Sequence, residues 1–203
     1  MNLLKYIRNV NEIMEDLKAS NGKALEHLKE LHDSLILEQA TNNMDKAKKS
    51  RAKTISDLIK KCNYEKFKGI FEDGGKWCFA NGFILFVLNN KVEGLPEIKA
   101  DFQAINIIEG AARECTFEIK VDLLKINELI TLNKTNRKKD IIPYKIILDN
   151  VKICFNPEYY KTMMDILGAG CKVYVNPTSA KAPLYFTSDV GSGVMLPMIC
   201  KEN

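Results

Sequence analysis

The stretch that decides the fold is Val151-Lys-Ile-Cys-Phe-Asn-Pro-Glu-Tyr-Tyr-Lys-Thr-Met-Met-Asp-Ile-Leu-Gly168, followed by Lys172-Val-Tyr-Val175, Pro183-Leu-Tyr-Phe-Thr187 and Val194-Met-Leu-Pro-Met-Ile199. It reads as a strand, a helix and three further strands. Working outward, Ile141 to Leu148 reads as another strand, with Asp149-Asn150 as a tight turn into Val151–Phe155. Phe117-Glu-Ile-Lys-Val121 alternates as a strand does, and Asp122 is placed to cap a helix running to Leu132. Lys134-Thr-Asn-Arg-Lys-Lys139 is a basic, polar loop, either a phosphate contact or a solvated turn.

Upstream lies a second run of the same kind. Lys66-Phe-Lys-Gly-Ile-Phe-Glu72 alternates as a half-buried strand, and Asp73-Gly74-Gly75 is a hairpin turn. Lys76-Trp-Cys-Phe-Ala80 and Phe83-Ile-Leu-Phe-Val-Leu88 add two strands around Asn81-Gly82, the second apolar enough to be buried on both faces. A helix near 43–62 precedes them, with N-cap oxygens available from Thr41-Asn42-Asn43. Its apolar positions are Met44, Ala47, Ile55, Leu58, Ile59 and Cys62. Lys46, Lys48, Lys49, Arg51, Lys53, Lys60 and Lys61 oppose only Asp45 and Asp57, so this is the most lopsided stretch of the chain. Such a helix neutralises phosphates without reading bases, or is simply a solvated face. Between the two runs, 91–116 is a connector. Phe102, Ile105, Ile107 and Ile108 suit either a short helix or an extended segment.

The N-terminal part is helical in pattern. Leu3, Ile7, Val10, Met14 and Leu17 form one stripe, Asn21-Gly22 is a stop, and Ala24, Leu28, Leu31 and Leu35 form a second stripe. Residues 1–41 therefore read as an antiparallel helical hairpin that either docks a partner or packs on the chain's own body.

Composition sets the class. The 203 residues, 46% hydrophobic and 28% charged, describe a globular chain with a net charge of +4. The six cysteines form no C-x-x-C pair and lie far in sequence from both histidines, which supports neither a zinc site nor a disulfide framework. Reduced structural thiols in the cytoplasm are the expectation. No apolar run is long enough to span a bilayer, and no signal peptide is expected at the N-terminus. There is no Gly-rich phosphate loop, G-x-S-x-G, H-E-x-x-H or paired-acid motif, so no enzyme chemistry, metal or cofactor is expected.

Lys53-Thr-Ile-Ser-Asp-Leu-Ile-Lys-Lys-Cys62 parallels Lys161-Thr-Met-Met-Asp-Ile-Leu-Gly-Ala-Gly-Cys171, and each helix is followed by three strands. This implies an internal repeat, with two copies of one unit sharing a sheet and a core. The fold class is α+β: a helical hairpin at 1–41, then a domain at 42–203 made of half one (42–95), the connector (96–116) and half two (117–203).

At this point the chain resembles the bacterial sliding clamp, the beta subunit of DNA polymerase III. The resemblance rests on Phe67–Phe71, Gly75–Val87, Phe155–Leu167 and Val194–Ile199, the last being similar to the family's Met-Pro-Met terminus. It implies paired β-α-β-β-β units whose helices, here 43–62 and 156–167, line a ring around duplex DNA. It also implies that Val194, Leu196, Pro197 and Met198 grip short peptides of polymerases and other replication proteins. The expected partners are thus duplex DNA, such peptides and further copies of the chain, with no membrane. Two departures stand out. Asn81-Gly82-Phe83-Ile84 replaces the family's Asp-Gly-His-Arg type of turn. The chain also has room for one domain where family subunits have three, so a ring needs several copies, and the facing wall of the peptide pocket is expected to be missing. The alternative is an interaction or regulatory protein, encoded by a phage or mobile element, that keeps the fold without forming a ring.

Overall fold

The computed structural model describes residues 7, 10, 11, 14, 22–41, 46–136, 140–168 and 170–199. Most of the helix expected over 3–18, the caps Asn42 and Asn43, and 137–139 of the basic loop lie outside these. Ile7 and Val10 are helical and buried. Gly22, expected to end the first helix, instead begins α1 (Gly22–Thr41). The remaining helices are α2 (Lys46–Lys60), α3 (Ala104–Glu114), α4 (Leu123–Thr135) and α5 (Pro157–Leu167).

The chain is mixed α+β, built on a seven-stranded antiparallel sheet. Its strands are β1 (Phe71–Asp73), β2 (Lys76–Ala80), β3 (Ile84–Leu88), β4 (Phe117–Ile119), β7 (Lys172–Val175), β8 (Leu184–Ser188) and β9 (Gly191–Met195). β5 (Tyr144–Leu148) and β6 (Val151–Phe155) form a separate hairpin, turned at Asp149 with φ 49°. The order β1-β2-β3-β9-β8-β7-β4 is two three-strand meanders joined by their last strands, with β4 added at one edge. The seam runs from Ile84 opposite Met195 to Leu88 opposite Gly191. Every residue of β3 is buried, as its apolar run requires.

Alternation across the pleat sends neighbouring side chains to opposite faces. Phe79, Phe86, Leu184, Phe186 and Met195 point to a core covered by α2 and α5. Ile55 and Ile59 of α2 and Tyr160, Met163 and Ile166 of α5 fill it. The hairpin joins this core through a run of rings: Tyr144 stacks on Phe155 at 5.1 Å, Phe155 on Tyr160 at 5.3 Å, and Tyr160 meets Phe186 at 5.6 Å. Phe71, Cys78, Leu85, Val87 and Val194 face the other way and pack under α3.

The caps explain where helices begin. Asp122 Oδ1 accepts from Leu124 N–H at 2.9 Å and Lys125 N–H at 3.3 Å, as its position suggests. The helix then runs past Leu132 to Thr135. Asn156 Oδ1 accepts from Glu158 N–H at 2.9 Å, with Pro157 in the first turn of α5. For α3 the adjacent Gln103 makes no side-chain cap, and Asp73 Oδ2, arriving from β1, takes the Ile105 N–H at 2.9 Å.

Three expectations need correction. The strand expected over 66–72 begins instead as a 3-10 turn (Glu65–Phe67), and only 71–73 join the sheet. Between them Ile70 is held by a separate bridge, its N–H donating to Pro96 O at 2.8 Å. The strand expected over 194–199 ends at Met195. Cys154 is disulfide-bonded rather than a reduced thiol, while Cys62, Cys78, Cys115 and Cys171 are free.

Candidate functional site: an apolar groove and a lysine-rich helix

β9 delivers the C-terminal segment to the gap between the two sheets. Leu196 N–H donates to Phe83 O at 2.9 Å, and Met198 N–H donates to Cys154 O at 2.7 Å. Leu196-Pro197-Met198 therefore leaves the large sheet and crosses to the hairpin. Pro197 needs no partner for the N–H it lacks. Both ends are pinned by backbone bonds, yet Leu196 stays 49% exposed and Ile199 92% exposed.

On one side of Leu196 lies an apolar cavity of about 270 Å³. Val194, Leu196 and residues 82–85 line one part of it, and Phe67, Phe102 and Ile107 another. Phe102 and Ile107 come from the 91–116 connector, and Phe67 from the 3-10 turn before β1. The rim is the Asn81-Gly82-Phe83 turn. Asn81 Oδ1 accepts from Phe83 N–H at 3.0 Å and Ile84 N–H at 2.9 Å, and Gly82 adopts φ 89°, where a Cβ is strained. Phe83, 51% exposed, stacks on Tyr159 of α5 at 5.7 Å. On the other side of Leu196 a second cavity of about 380 Å³ is lined by Pro197, Met198, Ile199, Lys152 and Lys181.

The four residues expected to form one pocket are therefore divided. Val194 serves the first cavity, Pro197 and Met198 the second, and Leu196 both. Phe67, Phe83, Phe102 and Ile107 were not expected there. The only sequence signal for them is aromatic and aliphatic residues placed in turns and connectors, where solvent-facing polar residues are usual.

The lysines divide too. Lys46, Lys49, Lys53 and Lys60 recur at helical spacing and are exposed on the outer side of α2, with Lys61 exposed just beyond it. Lys60 Nζ donates to Ser34 Oγ of α1 at 3.2 Å, so α1 lies beside this stripe. Arg51 does not belong to it. Half-buried, its Nε donates to Ile166 O at 2.6 Å, tying α2 to the last turn of α5. Exposed Lys48 lines, with Arg51, Lys91 and Asp189, a cavity of about 360 Å³ away from the stripe. On α5, Lys161 is paired with Asp165 at 2.5 Å.

Burial pushes the Cys78 thiol up to about 12 and the Cys115 and Cys171 thiols up to about 11. Burial also pushes the Tyr160 phenol up to about 12. Among the described residues no group of three or more His, Cys, Asp or Glu side chains is placed to hold a metal ion, and no helix is long and apolar enough to cross a membrane. No family model, curated protein or solved structure matches the chain.

Proposed function

We propose that this is a non-enzymatic, sliding-clamp-like protein acting in cytoplasmic DNA replication, whose main activity is to hold short apolar peptides of polymerases or other replication proteins. The observation that carries this reading is the cavity beside Leu196, apolar on both walls and open at the surface. An apolar anchor entering it leaves water without stranding a polar group. The lysine stripe of α2 adds sequence-tolerant contact with duplex phosphates.

Replacing Leu196 and Met198 with Ser tests the peptide reading. Both are at least partly exposed, so the fold survives while capture of a polymerase tail peptide is lost. Undiminished capture by the folded variant defeats it.

A second reading, an interaction protein that forms no ring, is favoured by one observation. α1 lies beside α2, with Ser34 taking the Lys60 ammonium, on the helical side where duplex DNA would have to pass. Light scattering separates the two: a closed assembly of several copies supports the ring, and a monomer or dimer supports the second reading.

A further inference from the structure

α1 and α2 carry opposite charge and lie side by side. α1 holds four acidic residues against two lysines, and α2 holds five lysines and Arg51 against Asp57. The two helices pack against each other. Lys60 Nζ, in the last turn of α2, donates to Ser34 Oγ at 3.2 Å. Nearer its start, α1 comes within electrostatic reach of the 3-10 turn beyond α2. The Lys68 ammonium is pushed up first by Glu65, bonded at 2.6 Å, and then by Glu26 of α1. α1 therefore runs back along α2, antiparallel to it, and past its end.

α1 is held shallowly where its side chains are described. Leu28, Leu35, Ile36 and Leu37 are half-buried, and Leu31 is 49% exposed. Leu37 packs on the main core. α2, by contrast, fully buries Ala52, Ile55, Leu58 and Ile59. Half-buried contacts mark a segment that opens before the core does. A phosphate that reaches Lys60 competes with Ser34 for the same ammonium. Lys46, Lys49 and Lys53 continue the row, and the phosphates lying along it repel the acids of α1.

We propose that α1 is a displaceable cover, which occupies the end of the lysine row in the free chain and is released when the row takes up a duplex phosphate backbone. This rests on the phosphate-contact reading of α2 and adds its regulation. A row uncovered for only a fraction of the time shows an affinity reduced by that fraction. A single phosphate exchanges one exposed bond for another and leaves Leu37 seated, so a run of phosphates is needed to move α1.

The test is hydrogen exchange of the full chain, alone, with a short mixed-sequence duplex, and with inorganic phosphate at matched ionic strength. The expected result is that duplex lowers protection of 22–41 while α2 keeps its own, and that inorganic phosphate releases nothing. Leu37→Asn loosens α1 without changing its charge. The folded variant should bind duplex up to about ten-fold tighter, the gain expected if the cover is closed about nine-tenths of the time. If that variant fails to fold, exchange of the unmodified chain decides alone.

Duplex binding that leaves protection of 22–41 unchanged or raises it overturns the cover and leaves the phosphate reading of α2 intact. So does a folded Leu37→Asn that binds no tighter, an α1 already unprotected in the free chain, or equal release by inorganic phosphate. Absence of duplex binding by both the unmodified chain and the folded variant overturns both.

Discussion

α2 and α5 occupy matching places, each laid over a three-strand meander on the same face of one sheet, yet their outer surfaces have little in common. Both bury a comparable inner stripe: Ala52, Ile55, Leu58 and Ile59 on α2, and Tyr160, Met163, Ile166 and Leu167 on α5. Outward, α2 shows a row of lysines. α5 shows a self-paired Lys161–Asp165 and turns Tyr159 to brace the Phe83 rim of the groove. The buried stripes answer to one shared core and so stay alike. The outer faces are free to diverge, one into a row of exposed lysines and the other into a brace for the Phe83 turn.

The largest expected effect breaks the seam that joins the two units. Phe86 of β3 stands opposite Gly193 of β9, and Met163 of α5 lies over the glycine. Phe86→Ala should cost about 3–5 kcal/mol in denaturant unfolding. Gly193→Val should cost about 1–3 kcal/mol, because a Cβ there meets the end of Met163 and sits 2.9 Å from Leu85 O. Tolerance of both substitutions would mean that the units do not share a core.

Next is the link between the helices. Arg51→Ala removes a charged donor from a carbonyl at the end of α5 and should cost about 1.5–3 kcal/mol. Lys161→Ala, which removes an exposed pair, should cost under about 0.5 kcal/mol. Equal costs would erase the contrast between a cross-link and a surface pair.

Function separates the helices at the third step. Lys49→Glu and Lys53→Glu should each lower the slope of log affinity for duplex DNA against log salt by about 1, with folding unchanged. Lys161→Glu on α5 should leave that slope alone. Insensitivity to all three removes α2 from any DNA contact.

The last effect is visible only in alkali. The Cys78, Cys115 and Cys171 thiols, with ordinary values of 9.0, are pushed up to about 12, 11 and 11 by burial. Tyr160 moves from 10.0 to about 12 for the same reason. The folded chain thus holds protons that the unfolded chain releases, so this stability is intact below pH 9 and falls as pH rises toward 11–12. A thermal-melt series across that range should decline steadily, and a flat series would show that these groups are solvated.

How much of this could be read from the residues follows from how local each signal is. The caps at Asp122, the hairpin turns and the two helix-plus-meander units are set by neighbours in sequence, and the pattern located them. α3 was left open because its N-terminal cap is Asp73, on a strand distant in sequence. Arg51 looked like one more cation of α2. Its commitment to Ile166 O depends on packing that no periodicity reveals. The groove was half legible. Val194 and Leu196 were named, but Phe67, Phe102 and Ile107 meet them only after the connector folds across the sheet. The crossing of the C-terminal segment to the hairpin, through Met198 and Cys154, likewise has no local signature.

Hydrogen exchange of the full chain, with and without saturating polymerase tail peptide, tests the central claim most directly. New protection confined to 81–85 and 194–199 is the predicted result. No protection, or protection centred on α2, would contradict it.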